Sequence, residues 1–264
     1  MKIIGTALLA LVLFGDLAAA DNGAAGREIH AKHRDAIVTV RLVVKSSMTV
    51  GGSARQSESK IATTGTVIDP SGLTVVSLAT MDPGMIAKVL MRSMRQEMSV
   101  DSEFKDVKII LADNTELPAE VVLRDRDLDV AFLRPVEKPV KPLAAIDLTK
   151  ASKPRLLDET VVLSRLGTIA NRAVTVSMQR IDAVIERPRE FYIAGGGGYA
   201  GGGSPVFALD GAPIGVILIR VAPPDGETGL GAMPFSLSNL PVMPVIVPAI
   251  DLLEGAKQAL ATTR

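Results

Sequence analysis

The chain of 264 residues contains no cysteine and only two histidines, His30 and His33. Disulfides, thiolate catalysis and cysteine-ligated metal sites are excluded by the first absence, and a His-rich metal cage by the second. There is no excess charge of either sign, with 29 Lys+Arg against 29 Asp+Glu. A nucleic-acid partner would call for a basic surplus to neutralise phosphate, so none is expected. Aromatic residues make up 3% of the chain while 47% is hydrophobic. The fold must therefore rest on a large aliphatic core without disulfide support. Beyond the N-terminus no run of eighteen consecutive apolar residues occurs, and no stable membrane span is expected. Nothing in the composition calls for a metal or a cofactor; Asp113, Asp125, Asp127 and Asp210 read as turn residues.

The first twenty residues read as a targeting segment. Lys2 gives a short positive start, residues 3–14 are apolar apart from Gly5 and Thr6, and Ala18, Ala19 and Ala20 precede the polar Asp21. That is the pattern of a secretory signal peptide, removed after Ala20, with an uncleaved anchor as the alternative. An exported protein, periplasmic or extracellular, is expected.

The remaining chain reads mostly as short strands. In residues 36–45, Ala36, Val38, Val40, Leu42 and Val44 fall on one face and Thr39, Arg41 and Lys45 on the other, the period of two that marks a half-buried strand. Residues 48–59 are polar and Gly/Ser-rich and read as an exposed loop. Strands follow at 64–69 and 73–77 around a Pro70-Ser71-Gly72 turn, then at 107–111, 119–123 and 130–133. Residues 135–154 carry four prolines and four lysines and read as a linker. Strands resume at 160–163, 173–178, 181–185, 191–194, 206–209 and 213–219. Many short strands split by one linker predict two small β-barrels packed together.

Two segments have helical spacing. Residues 83–97 place Ile86, Val89, Leu90 and Met94 along one stripe, and residues 248–262 place Ile250, Leu253 and Leu260 likewise. A third, carrying His30 and His33, is expected as a surface helix at the N-terminus. The predicted organisation is a signal peptide (1–20), a first barrel half (21–134) with a helical insertion near 83–98, a linker (135–154), and a second barrel half with a terminal helix (155–264). Met81, Met85, Met91, Met94 and Met98 concentrate five of the ten methionines around the insertion. It is expected to pack on the barrel or cover a cleft, or else to offer an adaptable binding surface.

Three segments, in order, carry a family resemblance. Gly65-Thr-Val-Ile-Asp-Pro-Ser-Gly72 leads into the strand ending Val76-Ser-Leu-Ala-Thr80; Asp127-Leu-Asp-Val-Ala-Phe-Leu-Arg134 follows; then comes Ala200-Gly-Gly-Gly-Ser-Pro205, running on to Gly215-Val216. This series resembles the trypsin-like serine proteases of the HtrA/DegP type, and Val245 to Leu253 resembles the end of their protease domain. The resemblance implies an all-β fold of two packed six-stranded barrels. It also implies a His/Asp/Ser triad, but here the histidine position holds Ala79, the aspartate position holds Asp129, and the serine position holds Gly202. Proton acceptor and nucleophile are both missing, and the chemistry needs both. Ala200, Gly201 and Gly202 occupy the loop whose backbone forms the oxyanion hole in the family. No PDZ-like module follows the barrels within this sequence.

Other routes to chemistry are weak. Ser204, two residues after Gly202, is followed by Pro205, which fits the family turn poorly, and no base is evident beside it. A Ser/Lys pair finds no lysine at a matched position. The glycine run 195–203 ends in Gly-Ser-Pro and opens a strand, unlike a phosphate loop, which ends in Gly-Lys-Ser/Thr and opens a helix. The resemblance, with its losses, implies a proteolytically inactive HtrA-like protein that binds peptides or partner proteins. The alternatives are a divergent active serine endopeptidase with a rearranged site and a structural envelope protein. Backbone donors near Ala79 and Thr80 are expected to satisfy Asp129, water or the Met-rich insertion being the other candidates. The expected peptide-groove edge is 191–194, with Phe191, Ile193 and Ser204.

Overall fold

The structure is a computed structural model, which describes residues 22–50, 53–93, 98–195, 200–221 and 242–262. The targeting segment lies outside the described residues, as does Met94.

Twelve strands close into two six-stranded antiparallel barrels. The first is built from β1 (Ile37–Val50), β2 (Ser53–Val67), β3 (Thr74–Ser77), β4 (Met98–Ile110), β5 (Glu116–Asp125) and β6 (Val130–Pro135), in the order β1-β2-β3-β6-β5-β4. The second is built from β7 (Glu159–Arg165), β8 (Val174–Ile185), β9 (Phe191–Gly195), β10 (Pro205–Ala208), β11 (Pro213–Val221) and β12 (Val242–Pro248), in the order β10-β11-β12-β9-β8-β7. The alternation seen in the sequence explains β1: Val38, Val40, Leu42 and Val44 are buried, while Lys45 faces solvent. One aliphatic cluster runs through both barrels, joining Val40, Val75 and Phe132 to Val161, Leu163 and Val216. A smaller one fills the rest of the second barrel around Ile181, Tyr192 and Ile246.

Of the expected loop at 48–59, residues 48–50 and 53–59 are instead strand. β1 and β2 pair without a break from Ile37↔Thr66 out to Val50↔Ser53, and β4 pairs alongside as far as Val50↔Met98. The three strands form an arm with solvent-facing residues such as Gln56, Glu58, Glu103 and Lys105. Backbone pairing suffices to form it, so no apolar alternation announces it. β4 consequently begins nine residues before the expected strand start.

Among the described residues four α-helices complete the fold: α1 (Asn22–His33), α2 (Leu78–Met81), α3 (Pro83–Ser93) and α4 (Ala249–Ala261). α1 packs on β7 and β8 through buried Gly26 and Ile29. His30 and His33 are half-buried rather than fully at the surface, and His33 stacks on Phe207 at 4.8 Å. α4 buries Ala249, Leu252, Ala256 and Ala259. The expected stripe is corrected here: Ile250 and Leu260 are exposed. A face of small alanines lets the helix lie close against the barrel, and alanine is a weak signal in a hydrophobic pattern. α3 packs on β4, where Ser102 Oγ donates to Asp82 Oδ1 at 2.8 Å. Between the barrels, residues 135–154 expose Val136 and Val140 but bury Ile146 and Leu148. Backbone bonds from Leu143 to Pro70 and from Ile146 to Val67 hold this segment on the first barrel; Ser152 to Pro213 holds it on the second.

Candidate functional site

The three positions picked out by the sequence meet where the barrels face each other. β3 ends at Ser77 and turns directly into α2, which carries Ala79 and Thr80. Asp129 stands just before β6 with φ +58, and its carbonyl accepts from Leu78 N–H at 2.9 Å. Gly202 lies three residues before β10.

Asp129 is 4% exposed and its carboxylate is held by three donors. Ala79 N–H donates to Oδ1 at 2.8 Å; Ser77 Oγ and Ile219 N–H donate to Oδ2 at 2.5 and 3.0 Å. The expected backbone donor at Ala79 is present. Thr80 is not one of the partners: its hydroxyl donates to Ser77 C=O at 2.8 Å and accepts from Thr63 at 2.9 Å. Burial raises the Asp129 carboxyl from its ordinary 3.8 to about 6, against the opposing pull of those hydrogen bonds and of Arg220. Ser77 and Ile219 were not foreseen from the sequence. The only trace was a serine two residues before Ala79.

Gly202 has no room for a side chain. A Cβ there would lie 2.7 Å from Ser77 Cβ and 2.8 Å from Thr80 Cγ2. The space a side chain at 202 would need is thus taken by Ser77 and Thr80. The next residue, Gly203, has φ +94, and a Cβ on it would come within 2.1 Å of Thr64 C=O, so only glycine fits.

A second hydroxyl network clasps the barrels below this loop. Thr66 Oγ1 donates to Gly203 C=O at 2.7 Å, Ser204 Oγ donates to Ser164 Oγ at 2.9 Å, and Gly201 N–H donates to the same Ser164 oxygen at 3.3 Å. Ser204 is fully buried. It is neither a groove residue nor placed against a base, which removes it from both sequence-based roles. The backbone of Gly201 is likewise committed to Ser164.

The expected groove edge at 191–194 is also corrected. β9 is an inner strand of a closed barrel, paired with β8 through Ile193↔Ala183 and with β12 through Tyr192↔Ile246. Phe191 lies under the Arg220 guanidinium at 5.3 Å. A strand's own sequence does not reveal that both its neighbours are already in place.

Two recesses flank the loop. One of about 150 Å³ is lined by Ala194, Ala200, Ile217, Pro244, Val245 and Ile246, with Gln179. The other, of about 280 Å³, is bordered by Thr39, Thr63, Thr80, Arg165, Arg172, Gly201 and Gly202 among others. A larger concavity of about 680 Å³ on the arm shares no lining residue with either. Among the described residues no three His, Asp or Glu side chains group as a metal site requires.

Comparison with known proteins agrees with this geometry. A family model of the trypsin-like peptidase domain matches residues 57–216. Among solved structures, the HtrA-type protease AlgW, determined with a tripeptide, superposes with a TM-score of 0.57 at 14% identity. The match covers 89% of this chain but 64% of that one, so the chain spans just under two thirds of that protein's length. A search of curated protein sequences finds no match. Twin six-stranded barrels and a family match over more than half of the sequence make this chain a member of the trypsin-like peptidase family, with an HtrA-like fold.

Proposed function

We propose that this protein is an exported, proteolytically silent member of its family that uses the cleft between the barrels to bind an extended peptide or a segment of a partner protein. The observation that carries the silent half of this reading is the occupied volume at Gly202. Serine-protease chemistry needs a hydroxyl there and an imidazole to take its proton. Here Ser77 and Thr80 fill the space, and Asp129 binds backbone and hydroxyl donors instead of a histidine. Ser204, the candidate for a rearranged nucleophile, is buried against Ser164.

The binding half is supported by the two recesses on either side of the 200–202 loop. Clefts of this kind take extended chains, with backbone bonds supplying affinity and pockets supplying choice. The tripeptide named with AlgW belongs to that protein; its relevance here is the shared fold. Export rests on Lys2, the apolar stretch 3–14 and the alanines at 18–20. Among the described residues no helix is long and apolar enough to cross a membrane.

The test is a fluorophosphonate probe on the natural sequence, alongside casein turnover. No labelling and no hydrolysis above background are expected. Covalent labelling at Ser204 or Ser77 would favour the divergent endopeptidase, and failure to capture any peptide would favour a structural envelope role. N-terminal sequencing of the exported protein should start at Asp21.

A further inference from the structure

The 280 Å³ recess is rich in hydrogen-bond donors and contains no carboxylate. Arg165 is 8% exposed. Its Nε donates to Ile37 C=O at 2.7 Å, and its terminal nitrogens donate to Arg172 C=O at 3.0 Å and Arg34 C=O at 3.5 Å. These bonds fix the guanidinium in place, but all three acceptors are neutral. Among the described residues no carboxylate oxygen comes within ion-pair distance of Arg165 or Arg172. Asp35 offsets part of the cost of burying Arg165 from beyond ion-pair distance, by more than Arg172 opposes it with like charge. A buried cation without an anion is costly and is ordinarily paired.

Two more features point the same way. Thr39, one of the residues lining this recess, is 8% exposed, and its buried hydroxyl has no hydrogen-bond partner, an unusual state for a buried polar group. Asn171 and Arg172 both hold left-handed backbone, with φ of +50 and +53. That turn, closed by Arg172 N–H on Gly167 C=O at 3.1 Å, delivers the Arg172 carbonyl to Arg165 and sets Arg172 in the recess wall, where its Nη1 donates to Asn114 Oδ1 at 2.5 Å. Non-glycine residues take this conformation at a cost of about 1 kcal/mol or more.

We propose that this recess is an anion-binding subsite that takes the carboxylate of an extended peptide lying across Gly201 and Gly202. The proposal rests on the reading that the cleft binds peptide and adds which chemistry the peptide must bring. A planar carboxylate matches the fork of a guanidinium, and one seated between Arg165 and Arg172 relieves their mutual repulsion and gives the Thr39 hydroxyl an acceptor. The carboxylate comes either from a free C-terminus or from an Asp or Glu side chain.

The experiment is affinity selection of a synthetic hexapeptide library on the full chain, read by mass spectrometry. The library is made in two forms, with free and with amidated C-termini. Carboxylate-bearing peptides should be enriched about tenfold or more over their amide, Asn or Gln counterparts. Preference for the free-acid form assigns the terminal carboxylate; enrichment of Asp or Glu within the amidated form assigns the side chain. Arg172→Gln should abolish the preference. Thr39→Val should reduce it several-fold while leaving the fold at least as stable, since it removes an unpaired hydroxyl. Arg165→Gln is a poorer choice because Arg165 ties Ile37 to Arg172.

Capture of peptides with no carboxylate preference would overturn the inference and leave the peptide groove standing. Capture of nothing would remove the groove reading, and succinate then decides the recess on its own. Amide shifts at Gly167 and Gly201 that disappear in Arg172→Gln would uphold an anion site; no shifts would end it.

Discussion

Two polar environments sit close to Gly202 and differ in what they still lack. In the first, one carboxylate, Asp129, meets three donors and is closed off from solvent. In the second, Arg165, Arg172 and Thr39, whose hydroxyl is unpaired, line a recess without a carboxylate. The former is complete as it stands. Asp129 is a joint that ties β3, α2 and β11 together across the barrels. The latter is incomplete, and polar groups left incomplete in a well-packed protein point to something that arrives from outside. One side of the loop is thus filled, while the other side stays open.

The strongest way to break this contrast is Asp129→Ala. If Asp129 is a structural joint, its removal leaves the N–H groups of Ala79 and Ile219 buried without an acceptor. The expected cost is about 3–5 kcal/mol, or roughly 6–20 °C in melting temperature for a chain of this size. Thermal denaturation measures it. A loss under about 1 kcal/mol would mean that the site is a relic that carries no weight.

The same joint should show in pH dependence. The folded carboxyl titrates at about 6 and the unfolded one at its ordinary 3.8. Between those values the folded state binds more protons, so stability falls as pH rises through the window and levels off above it. The difference comes to about 3 kcal/mol by pH 7. His33 works in the opposite sense. Burial, then Lys32, lowers its pKa from 6.5, so the unfolded state binds more protons and stability falls as pH drops below that value. Asp129→Asn isolates the first contribution: wild type minus variant should slope downward from pH 4 to pH 7. A flat difference curve would show that Asp129 is not held in the way described.

Gly202→Ala tests whether the vacated volume is truly filled. Its Cβ would press on Ser77 and Thr80, and overpacking of this kind costs about 1–3 kcal/mol. Thr80→Ser removes the Cγ2 half of the clash and keeps the hydroxyl bonded to Ser77 C=O. The double variant should therefore recover part of the loss, a non-additivity that a double-mutant cycle reads directly. Strict additivity would show that the glycine is not confined by Thr80. Gly202→Ser, even combined with Ala79→His, faces the same obstruction and should yield no protease.

How far the sequence revealed all this depended on where the signal lay. Barrel strands were legible wherever one face was aliphatic, as in β1 from Val38 to Val44, because burial imposes a period of two. The arm was not, since Ser, Gln, Lys and Glu on both faces carry no such period and the strands there are held by backbone pairing. The neighbourhood of Ala79, Asp129 and Gly202 was legible because three short motifs mark it along the chain. Their new partners were not: Ile219 N–H reaches Asp129 only through the packing of β11 against β3, and a backbone donor leaves no mark in sequence. The 191–194 edge failed for a related reason, because barrel closure is a property of all six strands. Arg165 and Thr39 passed unnoticed since a buried arginine and a strand threonine look ordinary until their surroundings are seen to lack an acceptor.

The smallest expected effect sharpens the comparison most directly, because it asks each side of Gly202 the same question. An anion that binds only the folded state stabilises it in proportion to the logarithm of its occupancy. Succinate at about ten times its dissociation constant should add about 1.4 kcal/mol, a shift of roughly 3–6 °C. The gain should vanish in Arg172→Gln, which takes one guanidinium from the open recess. It should persist in Asp129→Asn, whose closed pocket has its donors already engaged and no place for an added anion. Citrate and phosphate serve as further probes, while equal ionic strength of NaCl controls for screening of exposed pairs such as Lys45–Glu58. A shift equally large in Arg172→Gln would place the anion elsewhere on the surface, and the two sides of the loop would then differ in burial alone.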